Sequence, residues 1–166
     1  MAVIIRPSRD ADLDAVLELA GRAWEPVFAS VNEALGTELA RLLHSDDWQS
    51  HHAAEVSAIL SSEAMTTWVA EAAGAVVGFV SARVADPSRR IGEVHIVGVD
   101  PAAQGAGVAA ALVRHAEDWL REQGMAVAFI GSGGDPGHAP ARALYASLGY
   151  QPFPVVQYYK PLRVGG

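Results

Sequence analysis

The most informative pattern in this sequence is Val97-Gly98-Val99-Asp100-Pro101-Ala102-Ala103-Gln104-Gly105-Ala106-Gly107-Val108-Ala109. It passes from a β-branched run through a proline and two glycines into a helical pattern, so it predicts a strand, a loop and a helix. The first amides of a helix have no internal partners and carry partial positive charge. Because small residues let a phosphate approach those amides, the stretch predicts an anion site for a phosphorylated ligand.

The loop fits two other phosphate-binding motifs less well. A Walker loop needs Lys and then Ser or Thr after its last glycine, and Val108-Ala109 supplies neither. A dinucleotide motif, G-x-G-x-x-A, does match Gly105 to Ala110, but its first glycine should directly follow a strand. Here five residues intervene, and the preceding strand belongs to a predicted antiparallel meander. Small residues chosen only for helix packing also explain the loop when it is taken alone.

The flanking patterns predict a single domain over residues 1–166 with an α+β fold. We expect a mixed, mostly antiparallel central sheet of six or seven strands with helices on both faces. The clearest helix follows the loop, with apolar residues from Ala109 to Leu120 along one side and Gly124 as its left-handed end. The other predicted helices start at Ser8 or Asp10 and at Ser45-Asp46-Asp47, and a short one carries Ala141 to Leu148. The predicted strands are Ala2 to Arg6, Thr66 to Ala72, Ala75 to Ala85, Ile91 to Val99, Met125 to Ser132 and Val155 to Leu162.

Composition narrows the classes of function. The chain has no cysteine, which excludes disulfides, thiolate catalysis and zinc-thiolate sites. Its formal net charge of −7 argues against nucleic-acid binding. No apolar run is long enough for a membrane span and no secretory leader is visible, so we expect a cytoplasmic protein. The histidines His44, His51 and His52 are not spaced as a convincing metal site, so we expect no metal and place them at the surface.

Four motifs together resemble the GCN5-related N-acetyltransferase (GNAT) family. The family signature Q/R-x-x-G-x-G/A is satisfied by Gln104 to Ala109. The opening strand and helix of the family resemble Ile5-Arg6-Pro7 with Asp12 to Leu19, and its second hairpin resembles Gly74 to Val80. Its ending A-R-x-L-Y-x-x-x-G-F resembles Ala141 to Tyr150. Because the four occur in order and at suitable distances, the resemblance covers nearly the whole chain.

The resemblance implies acetyl-CoA as co-substrate and a primary amine of a small molecule, peptide or protein as acceptor. In this family two central strands splay apart, and the pantetheine arm lies between them along one strand edge. Gly98 would suit a bulge that opens this gap, or could be a small residue in a buried strand. His138 stands where many members have an asparagine that binds the cofactor. The implied cofactor-binding residues are Val97, Gly98, Val99, Gln104, Gly105, Ala106, Gly107, Val108, Ala109, His138, Ala141 and Tyr145.

The resemblance also implies catalytic residues, since an amine must lose a proton before it attacks a thioester. Glu93 is the implied general base and His95 its alternative, and strand alternation places both on one side with Val97 if no bulge intervenes. Tyr145 is the implied general acid, although it also fits a core position. Glu93 could equally be a salt-bridged strand residue.

The acceptor pocket is expected from Trp24, Phe28, Glu93 and Tyr158, with Trp48 and Tyr159 as further aromatic candidates. Each of these aromatic residues also fits a purely structural position in the core. The resemblance allows a homodimer. A non-catalytic acyl-CoA-binding regulatory module on the same fold is the alternative function, and Glu93 together with Tyr145 favours the enzyme over it.

Overall fold

The computed structural model describes residues 2–162. It contains five strands and five α-helices, and up to α5 their order is the predicted one of strand, helices, three strands, helix, strand and helix, with boundaries that differ by a few residues. The strands are β1 (Ile4–Pro7), β2 (Thr66–Ala72), β3 (Ala75–Asp86), β4 (Ile91–Val99) and β5 (Val127–Phe129). The helices are α1 (Leu13–Leu35), α2 (Thr37–His44), α3 (Trp48–Leu60), α4 (Val108–Glu122) and α5 (Ala139–Ser147). Within residues 2–162, no helix combines the length and the apolar composition needed to cross a bilayer.

A single mixed sheet organises the domain. Its strand order is β1-β2-β3-β4-β5, with antiparallel pairing up to β4 and a parallel pair between β4 and β5. The predicted α+β fold class is therefore confirmed, with five strands instead of six or seven. The predicted strand at residues 155–162 is not formed, because this segment lies away from the sheet and a strand requires a hydrogen-bonded neighbour.

Helices cover both faces of the sheet, as predicted. On one face α4 packs its apolar side on the sheet through Leu112, Ala116 and Leu120. On the other face α1 and α3 contribute Val16, Leu19 and Val56 against the buried Phe79 of β3. The site described below therefore lies on a strand, β4, that is held between two helical layers.

Of the two helix caps predicted in the N-terminal third, the structure confirms the one before α3 and not the one before α1. Neither Ser8 nor Asp10 caps α1; instead the Asp12 carboxylate accepts from the Arg9 backbone N–H at 2.8 Å and from both terminal nitrogens of Arg6. Helix α1 continues through Pro26, which removes one backbone donor without ending it. The predicted cap of α3 is confirmed, because the Asp47 side chain accepts from the Ser50 N–H at 3.1 Å.

Candidate active site

The glycine turn before α4 is open and uncapped. Gly105 and Gly107 have φ values of +75° and +80°, and a Cβ at either position would meet nothing within 4 Å. Glycine is therefore needed there for its left-handed backbone and not for space. Gly107 is the N-cap of α4 and no side chain caps the helix, so its first amides face the turn. This geometry fits a phosphate group that accepts from several amides.

A gap opens between β4 and β5 beside this turn. The parallel pair is held only by Ile91 with Val127, Gly92 with Ala128 and Glu93 with Phe129. Residues 94–99 of β4 have no β5 partner within the described chain, although all of them except His95 remain paired with β3 on the other side. The Gln104 side chain donates to the Val99 carbonyl at 3.2 Å and so ties the turn to the end of β4. The edge of β4 from Val94 to Val99, called the slot below, is therefore not paired with β5 and leads to the glycine turn.

A β-bulge at His95 changes which residues share a face. Ser81 pairs with Ile96 and Ala82 with Val94, so His95 is an extra residue without a partner on β3. Glu93 therefore lies on the face of α1 and α3, whereas Val97 lies on the α4 face. Glu93, His95 and Val97 were expected on one side only if no bulge intervened, and the bulge at His95 places Val97 on the opposite face from Glu93.

Gly98 does not form the bulge, which lies three residues earlier. A Cβ on Gly98 would come within 2.6 Å of the Phe79 ring and 2.7 Å of the Trp24 ring. The absence of a side chain therefore lets Trp24 pack directly against the backbone of β4.

Glu93 is nearly buried and bonds two basic side chains. Its Oε2 accepts from Nε of Arg83 at 2.5 Å, and its Oε1 lies 3.0 Å from Nδ1 of His95. Burial favours the protonated form, but the hydrogen bonds with His95 and Arg83 outweigh it and hold the pKa of Glu93 below its ordinary value. An ionised carboxylate only accepts, so Nδ1 of His95 carries the proton in this bond and Nε2 is left as an acceptor.

A cavity of about 390 Å³ lies between α3 and β4 next to this pair. His95 is part of its wall, opposite Glu55 and the buried His52 of α3. The expectation that His52 lies at the surface is wrong: it is only 5% exposed and shares an inward face of α3 with Val56, four residues on. The lining residues are His52, Glu55, Val56, Ala58, Ile59, His95 and Ile96.

The aromatic residues predicted for the acceptor pocket separate into two groups. The Trp24 ring lies 4.9 Å from the His52 ring, and Phe28 stacks on Trp48 at 4.3 Å. Phe28 also lies 5.5 Å from the His52 ring, so Trp24 and Phe28 flank a residue of the cavity wall, whereas Trp48 contacts Phe28. Tyr158 and Tyr159 do not join them, and Tyr158 is 92% exposed.

The loop after β5 is held by a carboxylate that sequence reasoning missed. Asp135 Oδ1 lies 2.5 Å from Nδ1 of His138, and Asp135 Oδ2 accepts from the Gly137 N–H at 3.1 Å. Arg142 donates to the carbonyl oxygens of Gly133 and Asp135, which fixes the loop to α5. The run Asp135-Pro136-Gly137 is a turn signal that could have identified this anchor. One nitrogen of His138 is thus already engaged by Asp135.

Tyr145 lies on α5, one turn after Ala141. Burial raises the pKa of Tyr145 to about 12, so its hydroxyl keeps its proton at neutral pH and is able to donate it. The Tyr145 ring lies 6.1 Å from that of Tyr150, whose buried hydroxyl has no hydrogen-bond partner in the described part of the chain.

Comparison with known proteins settles the family. A model of the Acetyltransferase (GNAT) family matches residues 29–150, which is most of the chain. The chain belongs to this family. The match confirms the resemblance deduced from the four motifs, three of which lie wholly or mainly inside the matched residues.

The GNAT relatives include proteins with named activities. A mycothiol acetyltransferase of Amycolatopsis mediterranei is 38% identical over 89 residues, which is 50% of this chain and 29% of that protein. The chain thus matches less than a third of that relative's length. Among solved structures, an aminoglycoside 6'-N-acetyltransferase of Acinetobacter haemolyticus matches 96% of this chain and 99% of its own, with a TM-score of 0.67 and 21% identity.

A second solved structure carries a ligand. It is an aminoglycoside acetyltransferase bound to a CoA–acetylneamine bisubstrate analogue. The match covers 98% of this chain and 100% of that chain, with a TM-score of 0.65 and 18% identity. At such identities both structures establish the fold alone. Within residues 2–162 of our chain, no group of three or more His, Asp or Glu side chains is placed to hold a metal ion.

Proposed function

We propose that this GNAT protein is an acetyl-CoA-dependent N-acetyltransferase that acetylates a primary amine by direct attack in a ternary complex. One observation carries the proposal: β4 has the glycine turn at its end, an unpaired edge along its second half and the Glu93–His95 pair in its middle. A phosphate site, a slot and a candidate base thus follow one another along nine residues of strand and the loop after it.

The residues from Gln104 to Ala109 would hold the pyrophosphate of CoA, because the turn is open and its amides have no side-chain cap. The unpaired edge at Val97, Gly98 and Val99 would hold the pantetheine arm by backbone hydrogen bonds. His138 and Ala141, at the start of α5, would line the other side. Acetyl-CoA bound there would supply the activated acetyl group.

Glu93 would act as general base together with His95. Its lowered pKa keeps Glu93 ionised but makes it a weak base, and an imidazole is generally the stronger one. With Nδ1 donating to Glu93, Nε2 of His95 is oriented to take a proton at the wall of the cavity. The pair therefore offers two positions for the proton that leaves the amine, and Arg83 keeps negative charge on Glu93.

Tyr145 would act as general acid toward the departing sulfur. Its burial keeps the hydroxyl protonated well above neutral pH, so the proton is available when negative charge develops.

The acceptor we propose is a small-molecule amine in the cavity between α3 and β4. The carboxylate of Glu55 and the pair at Glu93 would favour a cationic amine, and Trp24 and Phe28 would form the aromatic wall behind His52. The names of the relatives above point to small molecules as well. We propose the cytoplasm, where acetyl-CoA is available, as the site of action.

A thiol-release assay with acetyl-CoA and a panel of small amines tests the proposal. We expect amine-dependent CoA release that is lost in Glu93→Gln. Binding of CoA without turnover on any amine or peptide would favour the non-catalytic module instead.

The contribution of His95 is measured with His95→Gln, and His115→Gln on α4 is the matched control because His115 contacts Trp68 on the opposite face of the sheet. We expect His95→Gln to lower kcat and to shift the pH–rate profile, since one of the two proposed proton acceptors is removed. An unchanged profile would assign the proton to Glu93 alone.

A further inference from the structure

Helix α5 carries Tyr145 but has no fully buried residue anywhere in Ala139–Ser147. A surface helix is usually held to its domain by a buried apolar face, so α5 depends on other contacts for its position. The loop before it supplies them. This loop, residues 133–138, is called the latch below, and its hydrogen bonds reach both α5 and α1.

The latch is joined to α5 through Arg142. The Nη1 atom of Arg142 donates to the carbonyl oxygen of Gly133 at 2.5 Å and to that of Asp135 at 2.8 Å. The Asp135 carboxylate in turn accepts from the Gly137 N–H at 3.1 Å, which closes the latch on itself. Arg142 lies three residues before Tyr145, so the two side chains are neighbours on one face of α5. The latch and the part of α5 that bears Tyr145 therefore form one hydrogen-bonded unit.

The latch is joined to α1 through Gly137. Besides its bond with Asp135, the Gly137 N–H donates to Oγ of Ser30 at 2.8 Å. A Cβ on Gly137 would lie 2.7 Å from Cβ of Ser30 and 3.1 Å from the carbonyl oxygen of Pro26. Neither atom is the end of a flexible side chain that could swing away. The close approach of the latch to α1 therefore requires glycine at position 137.

Helix α1 lies between the latch and the aromatic wall of the proposed acceptor cavity. Pro26 and Ser30 are one turn apart on the side that meets the latch, whereas Trp24 and Phe28 are one turn apart on the side that meets His52. Successive residues of an α-helix are rotated by about 100°, so the two pairs lie about 200° apart around the helix axis. One helix thus connects the acceptor side of the site with the latch and, through the latch, with α5.

We propose that the Ser30–Gly137 contact positions the Tyr145 hydroxyl for acetyl transfer by fixing α5 against α1. The proposal rests on the proposed function, in which the sulfur keeps the electron pair of the broken carbon–sulfur bond and takes the Tyr145 proton, while solvent reprotonates the phenolate. Proton transfer requires hydrogen-bond distance, and a displacement of about 1 Å is enough to lose most of its benefit. Ser30 and Gly137 are positioning residues, because they act on the reaction only through Tyr145.

Three single variants test the contact. Gly137→Ala forces the latch away from α1, and Ser30→Ala removes the side-chain acceptor of the Gly137 N–H without adding an atom. Gly134→Ala is the matched control in the same loop, since a Cβ there would meet nothing within 4 Å. If Gly137→Ala does not fold, Ser30→Ala alone decides the result.

Each variant is measured in the wild-type background and in Tyr145→Phe. We expect Gly137→Ala to lower kcat about tenfold and Ser30→Ala about fivefold when Tyr145 is present, in line with one lost hydrogen bond in the transition state. In Tyr145→Phe we expect a further change of at most about twofold, because the group that they position is gone. Gly134→Ala should change kcat by no more than about twofold in either background. Equal losses with and without the Tyr145 hydroxyl would show a role in stability only and would contradict the proposal.

Fluorine NMR follows Tyr145 without any turnover. The chain has four tyrosines, so protein labelled with 3-fluorotyrosine gives four resonances, and Tyr145→Phe identifies the one that belongs to Tyr145. We expect this resonance to shift in Gly137→Ala and Ser30→Ala and to stay in place in Gly134→Ala. An unmoved resonance in both latch variants would overturn the proposal. If the wild type transfers no acetyl group, the proposed function fails, and the resonance alone still shows whether the latch sets the position of Tyr145.

Discussion

The geometry in the middle of β4 and the geometry of the glycine turn after β4 are fixed by different parts of the chain. At Glu93 and His95 the geometry comes from side chains: a bulge, an ion pair and one hydrogen bond to an imidazole. At Gly105 and Gly107 it comes from the backbone alone, through two left-handed residues and an uncapped helix start. We therefore expect side-chain substitutions at Glu93 and His95 to change kcat, and substitutions that alter the backbone of the glycine turn to change the affinity for CoA.

Glu93→Gln should have the largest effect. The amide keeps the size of the side chain but loses the charge that holds His95, so kcat should fall about 10²- to 10⁴-fold, the usual contribution of a general base. Steady-state kinetics with a saturating amine measures it. CoA affinity should stay within about twofold, and equal losses of kcat and of CoA affinity would contradict the distinction between the middle of β4 and the glycine turn.

Gly107→Ala should weaken CoA binding at the glycine turn. A Cβ at φ +80° costs about 1 kcal/mol, and any relaxation of the turn loses a hydrogen bond to the phosphates. We expect the Kd for CoA to rise about tenfold, measured by calorimetry. Gly21→Ala in α1 is the control, since it has open space and an ordinary helical backbone, and it should change neither Kd nor kcat.

Tyr145→Phe should lower kcat about tenfold, the cost of one hydrogen bond made in the transition state. Since burial raises the pKa of Tyr145 to about 12, the hydroxyl stays protonated in the folded enzyme up to that pH. The wild-type rate between pH 7 and 10 should therefore show no loss from this group. A basic limb near pH 9 that disappears in Tyr145→Phe would contradict the assignment.

Asp12→Asn should leave the kinetics unchanged and act on stability, because Asp12 lies at the start of α1, outside the candidate site. The hydrogen bond from Arg6 holds the pKa of Asp12 below its ordinary value. Its contribution to stability is thus present above about pH 4 and lost as pH falls through the folded pKa. We expect Tm to drop about 3 °C at pH 7 and the difference to shrink at pH 3, followed by circular dichroism.

Much of the fold was predictable from local signals. The predicted hairpin forms with its turn at Ala73-Gly74, and Gly124 adopts the predicted left-handed conformation after α4. These features depend on residues close in sequence. The prediction of a strand at residues 155–162 was wrong, because strand pairing depends on what lies beside a segment and not on the segment's own pattern.

The candidate site was predictable in its residue types but not in its geometry. Glu93 and His95 could be chosen from the sequence, but the bulge that turns Val97 to the opposite face could not, because period-two counting assumes that every residue pairs. His52 was misplaced for a related reason: its burial depends on α3 packing against Trp24. Asp135 was missed because the turn signal Asp135-Pro136-Gly137, which could have identified a turn, does not itself indicate the bond to His138.

The most direct test of the account is a calorimetric titration of CoA into Glu93→Gln and Gly107→Ala, run beside the wild type and paired with kcat for each. We expect Glu93→Gln to bind CoA as the wild type does but to turn over at least a hundredfold more slowly. We expect Gly107→Ala to bind CoA about tenfold more weakly. If Glu93→Gln loses CoA binding, or if Gly107→Ala binds CoA normally, the roles assigned to the middle of β4 and to the glycine turn are contradicted.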